Sequence, residues 1–436
     1  MFLYYLGLAR RHLLESKGMT AALVLALALG VGASMAMITV IRVMTWDPLP
    51  GRSEHLFHPY IDPLPSSYEV KDSMDPRVAL TWTDAKELLR RGPARAQLAL
   101  ASGHLLVNPQ DGVESPFFVD GQYATPSLFE MFGLNILEGN TWTEEEEQER
   151  AHVVIISNSL KNRITSRNTI IGRQILLGGQ SFRVIGIAAD WAPRPRFHTD
   201  LQRDIFKGQD DFFIPLTTAI DLQLTVGNSM FSWSPTPSAN KMEDSRTAWL
   251  QYWIYLDSPR DQADYLRFLE NYTREQISSG RFERRSQPRI ERLHEFLVKR
   301  KIIPDELKLQ LGLSIAFLLV CLVNICALLF SRFIRRTHEV AIRRALGARR
   351  GDIVMQLCTE AFIIGTLGGL AGLLIAHAGL YLIRIQPEDY AALAVMDWPM
   401  TIATVLLACV SSLIAATLPA LRAASTRIVM QIKAAE

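Results

Sequence analysis

Four cysteines are spread over 436 residues, and no Cys-x-x-Cys pair occurs among them, so zinc-ribbon and dithiol redox chemistry are excluded. Cys321, Cys326, Cys358 and Cys409 all lie in or beside apolar stretches, and residues 46 to 306 contain none. That long segment must therefore be held by its hydrophobic core and not by disulfides. No G-x-x-x-x-G-K-[ST] loop is present, so nothing in the sequence would cradle the phosphates of a nucleotide. Gly-x-Ser-x-Gly, His-Glu-x-x-His and Cys/His nucleophile patterns are equally missing. His55 and His58 have metal-like spacing but no third ligand nearby, which predicts solvated histidines in a Pro-rich loop. A net charge of +2 gives no electrostatic case for a nucleic-acid partner. No cofactor, metal or catalytic residue is expected on this chain.

What the chain has in abundance is long apolar runs. A mean hydropathy of +0.11 averages very apolar segments with an ordinary water-soluble region. Four runs exceed the about 20 residues a helix needs to cross a hydrocarbon core of about 30 Å. They are Met19–Val43, Leu309–Ile334, Ile353–Ile383 and Met400–Leu421. The first is too long for the apolar core of a cleaved signal peptide, and Met44–Gly51 offers no small-x-small site, so an uncleaved helix is expected. Arg10, Arg11 and Lys17 precede the first run, seven arginines from Arg332 to Arg350 separate the second and third, and Arg422, Arg427 and Lys433 follow the fourth. The short loop between the third and fourth holds Arg384 against Glu388, Asp389 and Asp397. By the positive-inside rule both termini are cytoplasmic and residues 46–306 extracytoplasmic.

The expected fold class is thus an α-helical membrane protein with four transmembrane helices in a one-plus-three arrangement and a large α+β domain between the first and second. Residues 1–18 read as an interfacial helix, because Leu3, Leu6, Leu13 and Leu14 share a face. The spans are 19–43, 309–334, 353–383 and 400–421; residues 335–350 form a cytoplasmic helix and 422–436 a tail. In the middle segment, Thr83 is expected to cap a short helix, and Thr125, Pro126 and Gly133 to start and stop another. The acidic run Glu144–Glu147 reads as a solvated helix start. His152–Ser157 and Arg173–Ile187 carry the strongest strand signal, with a turn at Gly178 and Gly179. Trp249–Leu256 reads as a strand, followed by a helix capped by Ser258 and Pro259 that presents Tyr265, Phe268, Leu269 and Tyr272 on one face.

Within the membrane part, Asn324 would be costly facing lipid and is expected to hydrogen-bond to a neighbouring helix. Gly365, Gly368, Gly369 and Gly372 permit close helix approach, either within the chain or between two copies. Arg42 is expected to snorkel at the outer end of the first span. The stretch Arg335–Arg350 places Val340, Ala341, Ala345 and Leu346 beside a basic side, a surface suited to docking on a partner.

The segment Asn324–Ala376, with Asn324, Glu339, Arg343, Arg344, Ala345, Leu346, Gly347, Ala348 and Glu360 in order, resembles the signature of the FtsX-like permease family. Tyr123–Asn140, His152–Ser157, Ile170–Asp190 and Asp210–Leu216 are similar to the external core domain of MacB-like permeases. The chain departs from that pattern at Asn140, where members often carry Arg, and in the proline-free tail Ser425–Lys433. Residues 217–245 match nothing in it. Leu176–Gln180 (LLGGQ) imitates an ATPase signature but sits between two strand-like runs and reads as a hairpin turn.

The resemblance implies the permease subunit of an ABC transporter, with ATP and Mg used by a separate ATPase dimer docked at Arg335, Arg336, Glu339, Arg343, Arg344, Leu346, Gly347 and Ala348. It implies a second permease copy or a related permease, residence in a bacterial inner membrane, and mechanotransmission to the external domain. The activity implied is export or efflux, with a periplasmic adaptor and outer-membrane channel as further partners. Lipoprotein extraction, or signalling to an envelope enzyme, are the alternatives.

Overall fold

All four apolar runs are single helices in the computed structural model, which describes residues 2–70, 75–109, 115–165, 170–199, 205–206, 208–234, 241–300, 305–335, 337–386 and 394–425. The chain divides into two units, Met1–Thr45 with Ile303–Glu436, and Trp46–Ile302. In the first unit an elbow helix, Phe2–Glu15, precedes the first span, Lys17–Thr45. The second span is Asp305–Ile334, the third Arg350–Arg384 and the fourth Trp398–Ser425. Each helix overruns its apolar run by a few residues, because helical hydrogen bonding continues into the headgroup layers after the hydrophobic requirement has ended. The linking helix is shorter than expected, Thr337–Ala345, and the tail beyond Ser425 lies outside the described residues.

The third span is the hub of this unit, packed against the first span on one side and the fourth on the other. Its glycines make both approaches possible. A Cβ on Gly368 would meet Leu27 at 2.6 Å, and one on Gly372 would meet the Ala28 carbonyl at 3.2 Å. On the opposite side, Cβ atoms on Gly365 and Gly369 would meet the Cα atoms of Cys409 and Val405 at 2.8 and 3.0 Å. All four glycines therefore face neighbours in the same chain. Lipid gives no hydrophobic drive for helices to associate, so such backbone proximity supplies the van der Waals attraction. At the C-terminal end of the first span Arg42 pairs with Asp397 at 3.3 Å.

The second unit is built on one mixed sheet. Its strands are β1 Leu56–Tyr60, β2 Leu80–Thr81, β3 Ala96–Asn108, β4 Phe117–Ala124, β5 Ile136–Gly139, β6 Val153–Ser157, β7 Gln174–Leu177, β8 Gln180–Ala188, β9 Phe212–Pro215, β10 Phe231–Ser232, β11 Thr247–Tyr255 and β12 Arg289–Arg292. The main path runs β12-β1-β11-β3-β4-β9-β6-β8-β5, with β4–β9 and β6–β8 parallel and the other pairs antiparallel. Both faces are covered, which explains why the central strands read as unbroken apolar runs. Val154 and Ile156 enter one core with Tyr252 and Tyr265, while Val153 and Ile155 enter the other with Trp142 and Trp253. Strand alternation sends successive residues to opposite cores.

Several local expectations shift. The first helix of this unit, Trp82–Arg91, is capped by Thr81 and not Thr83; the Thr81 hydroxyl accepts from the Asp84 amide. The next, Leu128–Phe132, starts after Ser127, since Thr125 and Pro126 form the preceding turn; it stops at Gly133 as read from the sequence. The acidic run does open a capped helix, Glu144–Gln148, but Glu147 is buried and accepts from the Trp142 indole and the Thr217 amide. Burial pushes its carboxyl up to about 7, against those hydrogen bonds. The segment after Trp46 is also no simple loop. It contains β1, and His58 is wholly buried there, its Nε2 2.9 Å from the Val78 carbonyl and its ring against Trp253 and Phe296.

Burial, helped by repulsion from Arg300, lowers the His58 pKa to about 3. His198, wholly buried against Asp210, is also lowered by burial. In an unfolded chain both would titrate near 6.5. Below about pH 6.5 the unfolded state binds more protons at these sites, so the stability these neutral rings preserve is present above pH 6.5 and lost as pH falls, for His58 by about 1.4 kcal/mol per pH unit down to its folded value. Every tryptophan except Trp398 lies in residues 46–302, so tryptophan fluorescence of the intact protein reports this unit. Glu147, raised to about 7, acts in the opposite direction over the same window, so the His58 contribution is read as a difference: on going from pH 7 to pH 5 the urea midpoint of His58→Gln, which keeps a donor for Val78, should gain on that of the wild type by about one proton's worth.

Candidate functional site

The basic segment after the second span folds as helix, sharp corner, helix. The linking helix ends in a Schellman motif: the Gly347 amide donates to the Arg344 carbonyl at 3.1 Å and the Ala348 amide to the Arg343 carbonyl at 3.0 Å. This geometry needs a left-handed residue between them, and Gly347 has φ +100°. Two residues later the third span begins, its Asp352 carboxylate accepting from the Arg349 amide at 3.0 Å. The string Ala345-Leu346-Gly347-Ala348-Arg349 thus encodes a stop signal placed directly against a start signal.

That corner sorts the side chains. Val340 turns toward the bundle, where it borders a gap of about 20 Å³ with Phe333, Ile353 and Leu357. Arg343 reaches back to the third span and donates to Gln356 at 2.7 Å. Ile342 and Leu346 point the other way; Leu346 is 83% exposed and Ile342 50%. The apolar face offered outward is therefore Ile342 with Ala345 and Leu346, and not the set containing Val340. Arg335 and Gly347 are also exposed, while Arg344 and Ala348 are half-buried. Arg336 and the side chain of Ala341 lie outside what the structure describes.

Sequence reading missed what holds the corner to the bundle. Glu360, 1% exposed in the third span, lies 2.8 Å from Nδ1 of His12 in the elbow helix and 3.9 Å from Arg332 at the end of the second span. Arg332 also donates to the His12 carbonyl at 3.0 Å and the Thr20 hydroxyl at 3.3 Å. Glu339, in the first turn of the linking helix, stands 4.0 Å from Nε2 of His12. One sequence signal was available: a Glu ten residues inside a membrane span demands a cationic partner. Which cation could not be read, because His12 precedes Glu360 by 348 positions.

Asn324 departs from its expectation. It is exposed on the single chain and, among the described residues, receives no hydrogen bond from another helix. The reason is placement: it lies on the side of the second span turned away from the first and fourth, beside exposed Val320 and Val323. Only 22% of that span's apolar window is buried, against 56% for the first span.

Comparison with known proteins agrees with this architecture. The MacB-like periplasmic core domain profile matches residues 20–265, and the FtsX-like permease C-terminal profile matches residues 311–428. Among curated relatives, the macrolide export ATP-binding/permease protein MacB of Sodalis glossinidius is 23% identical over 303 residues, covering 68% of this chain and 41% of that protein. The pyoverdine export ATP-binding/permease protein PvdT of Pseudomonas aeruginosa is 25% identical over 248 residues, 57% of this chain and 32% of that one. The chain thus spans less than half the length of these relatives. The crystal structure of the periplasmic region of MacB from Actinobacillus actinomycetemcomitans aligns with 59% of this chain and 97% of its own, at 13% identity and a TM-score of 0.38. With the first profile covering more than half of its residues and the second covering the last three spans, the chain belongs to the MacB-like, FtsX-like permease family, the membrane component of ABC transporters.

Proposed function

We propose that this chain is an export permease whose linking-helix corner receives a separate ABC ATPase, and that ATP-driven movement of the ATPase is passed to the external domain as mechanical work. The carrying observation is Leu346. A leucine 83% exposed at a basic corner, outside the apolar spans, gains nothing from water and is suited to an apolar pocket on a partner. The surrounding arginines would steer that partner and fix its register. The 436 residues lack a phosphate-binding loop of their own, so ATP and Mg would be bound by the partner.

The orientation that follows from the arginine distribution puts the corner in the cytoplasm of a bacterial inner membrane and residues 46–302 outside. Efflux is favoured as the activity because the relatives' names specify export, of macrolides and of pyoverdine. A periplasmic adaptor and an outer-membrane channel would complete such an assembly. The sparsely covered second span, with Asn324 on its open side, is best accounted for by a second permease copy. An amide facing hydrocarbon is costly, and the same amide on a neighbouring copy can satisfy it.

Leu346→Asp should abolish stimulation of the partner ATPase by the permease while leaving helix content unchanged, since the side chain supports nothing in its own chain. Wild-type stimulation in that variant, and in Arg343→Glu/Arg344→Glu, would sink the docking assignment. Gly347→Val, whose cost is conformational and about 1 kcal/mol or more, should uncouple ATPase from transport more severely than Gly347→Ala. For the second copy, Asn324→Cys should form a disulfide-linked dimer in membranes under mild oxidation, with Leu374→Cys on the third span as a lipid-facing control that does not.

A further inference from the structure

The inner ends of the third and fourth spans leave an open groove of about 750 Å³ between them, and the linking-helix corner does not use it. Arg350 and Arg422 stand on its rim; Val354, Met355, Cys358 and Leu421 make its apolar wall. Both arginines are exposed, and Arg422 also lies over the Phe330 ring, 5.9 Å from its centroid. The nearby carboxylate, Asp352, is occupied in capping the third span.

The depth of this groove can be counted along the helices. Arg42 and Asp397 pair at the outer ends of the first and fourth spans. Descending from each by the same number of residues reaches Lys17 and Arg422, about 37 Å away at about 1.5 Å per residue. A hydrocarbon core of about 30 Å, within a bilayer of about 40–45 Å including headgroups, then places Arg422 in the inner headgroup layer. From the groove an apolar stripe climbs the fourth span through Leu421, Leu418, Ile414, Val410 and Leu406, every one at least half exposed. Their spacing of three and four keeps them on one helix face.

We infer that this groove binds an anionic phospholipid, its phosphate between Arg350 and Arg422 and one acyl chain along the Leu421–Leu406 stripe. Two guanidiniums at headgroup depth complement a phosphodiester that carries a net negative charge, and paired arginine is the side chain best matched to phosphate oxygens. The stripe runs into hydrocarbon, where an acyl chain is at hand and a segment of a water-soluble partner is not. The inference needs the membrane-spanning reading of these helices but not ATPase docking at Leu346, so either can fail alone.

The test is native mass spectrometry of the delipidated full chain titrated with phosphatidylglycerol or phosphatidylcholine. The wild type should retain phosphatidylglycerol about tenfold or more over phosphatidylcholine, the preference two arginines supply at a membrane surface. Arg350→Gln/Arg422→Gln should lose that preference while keeping the circular dichroism spectrum of the wild type. Cys358→Trp, which fills the wall and spares both arginines, should lower phosphatidylglycerol retention too. Equal retention of the two lipids by the wild type, or unchanged phosphatidylglycerol retention in the arginine pair variant, overturns the proposal; the second outcome is what a groove covered by a protein segment would give.

Discussion

A carboxyl group inside an apolar helix sets the terms for the end of the bundle where the linking helix attaches. Glu360 has 1% of its surface exposed, and an ionisable group in that position is tolerated only with hydrogen-bonding or cationic partners close by. Those partners are His12 and Arg332, from two other helices, so meeting the demand of one residue fixes the elbow helix and the end of the second span against the third. Arg332 extends the same constraint to Thr20 at the start of the first span. Removing both partners would strip a buried carboxyl of the groups that compensate its burial, which typically costs several kcal/mol. The linking helix approaches the cluster through Glu339, 4.0 Å from His12.

Higher in the membrane the constraint changes from charge to shape. The third span touches the first through Gly368 and Gly372 and the fourth through Gly365 and Gly369, so both of its flanks are committed inside the chain. The second span is not built that way. Its exposed face carries Leu313, Phe317, Val320, Val323 and Asn324, bulky residues with one amide, where backbone-to-backbone approach is impossible and a softer contact is the only available kind. The first, third and fourth spans thus form a closely packed trio, and the second is the more loosely covered helix.

The spans, the one-plus-three order, the mixed external fold and the family were legible in the sequence, because hydropathy, strand alternation and the Asn324–Ala376 motif are local signals. What stayed hidden was partnership across distance. His58 read as solvated from its Pro-rich neighbours, yet β1 carries it between Trp253 and Phe296. Glu147 looked like its three acidic neighbours, but helix periodicity turns it alone toward Trp142 and Thr217. Thr81 and Thr83 are equally good caps on paper; the strand ending at Thr81 decides between them. The glycine run showed that backbones would come close without showing whose, and Asn324 showed a cost without showing that no helix of its own chain would meet it.

The arginines from Arg332 to Arg350 make the same point at the site itself. Counted together they only orient the protein in the membrane. Placed individually they differ: Arg332 points inward to Glu360, Arg343 ties the linking helix to Gln356, and Arg350 stands at the groove between the third and fourth spans. The last two are positioned by the corner at Gly347, which ends the linking helix and starts the third span two residues later. That economy leaves Leu346 at the apex with no neighbour to cover it. The apex is backed by Arg343 on Gln356 and lies beside the Glu360 cluster through Glu339, so a partner docked on the exposed leucine, as proposed above, would meet a surface tied to the bundle and not a free loop.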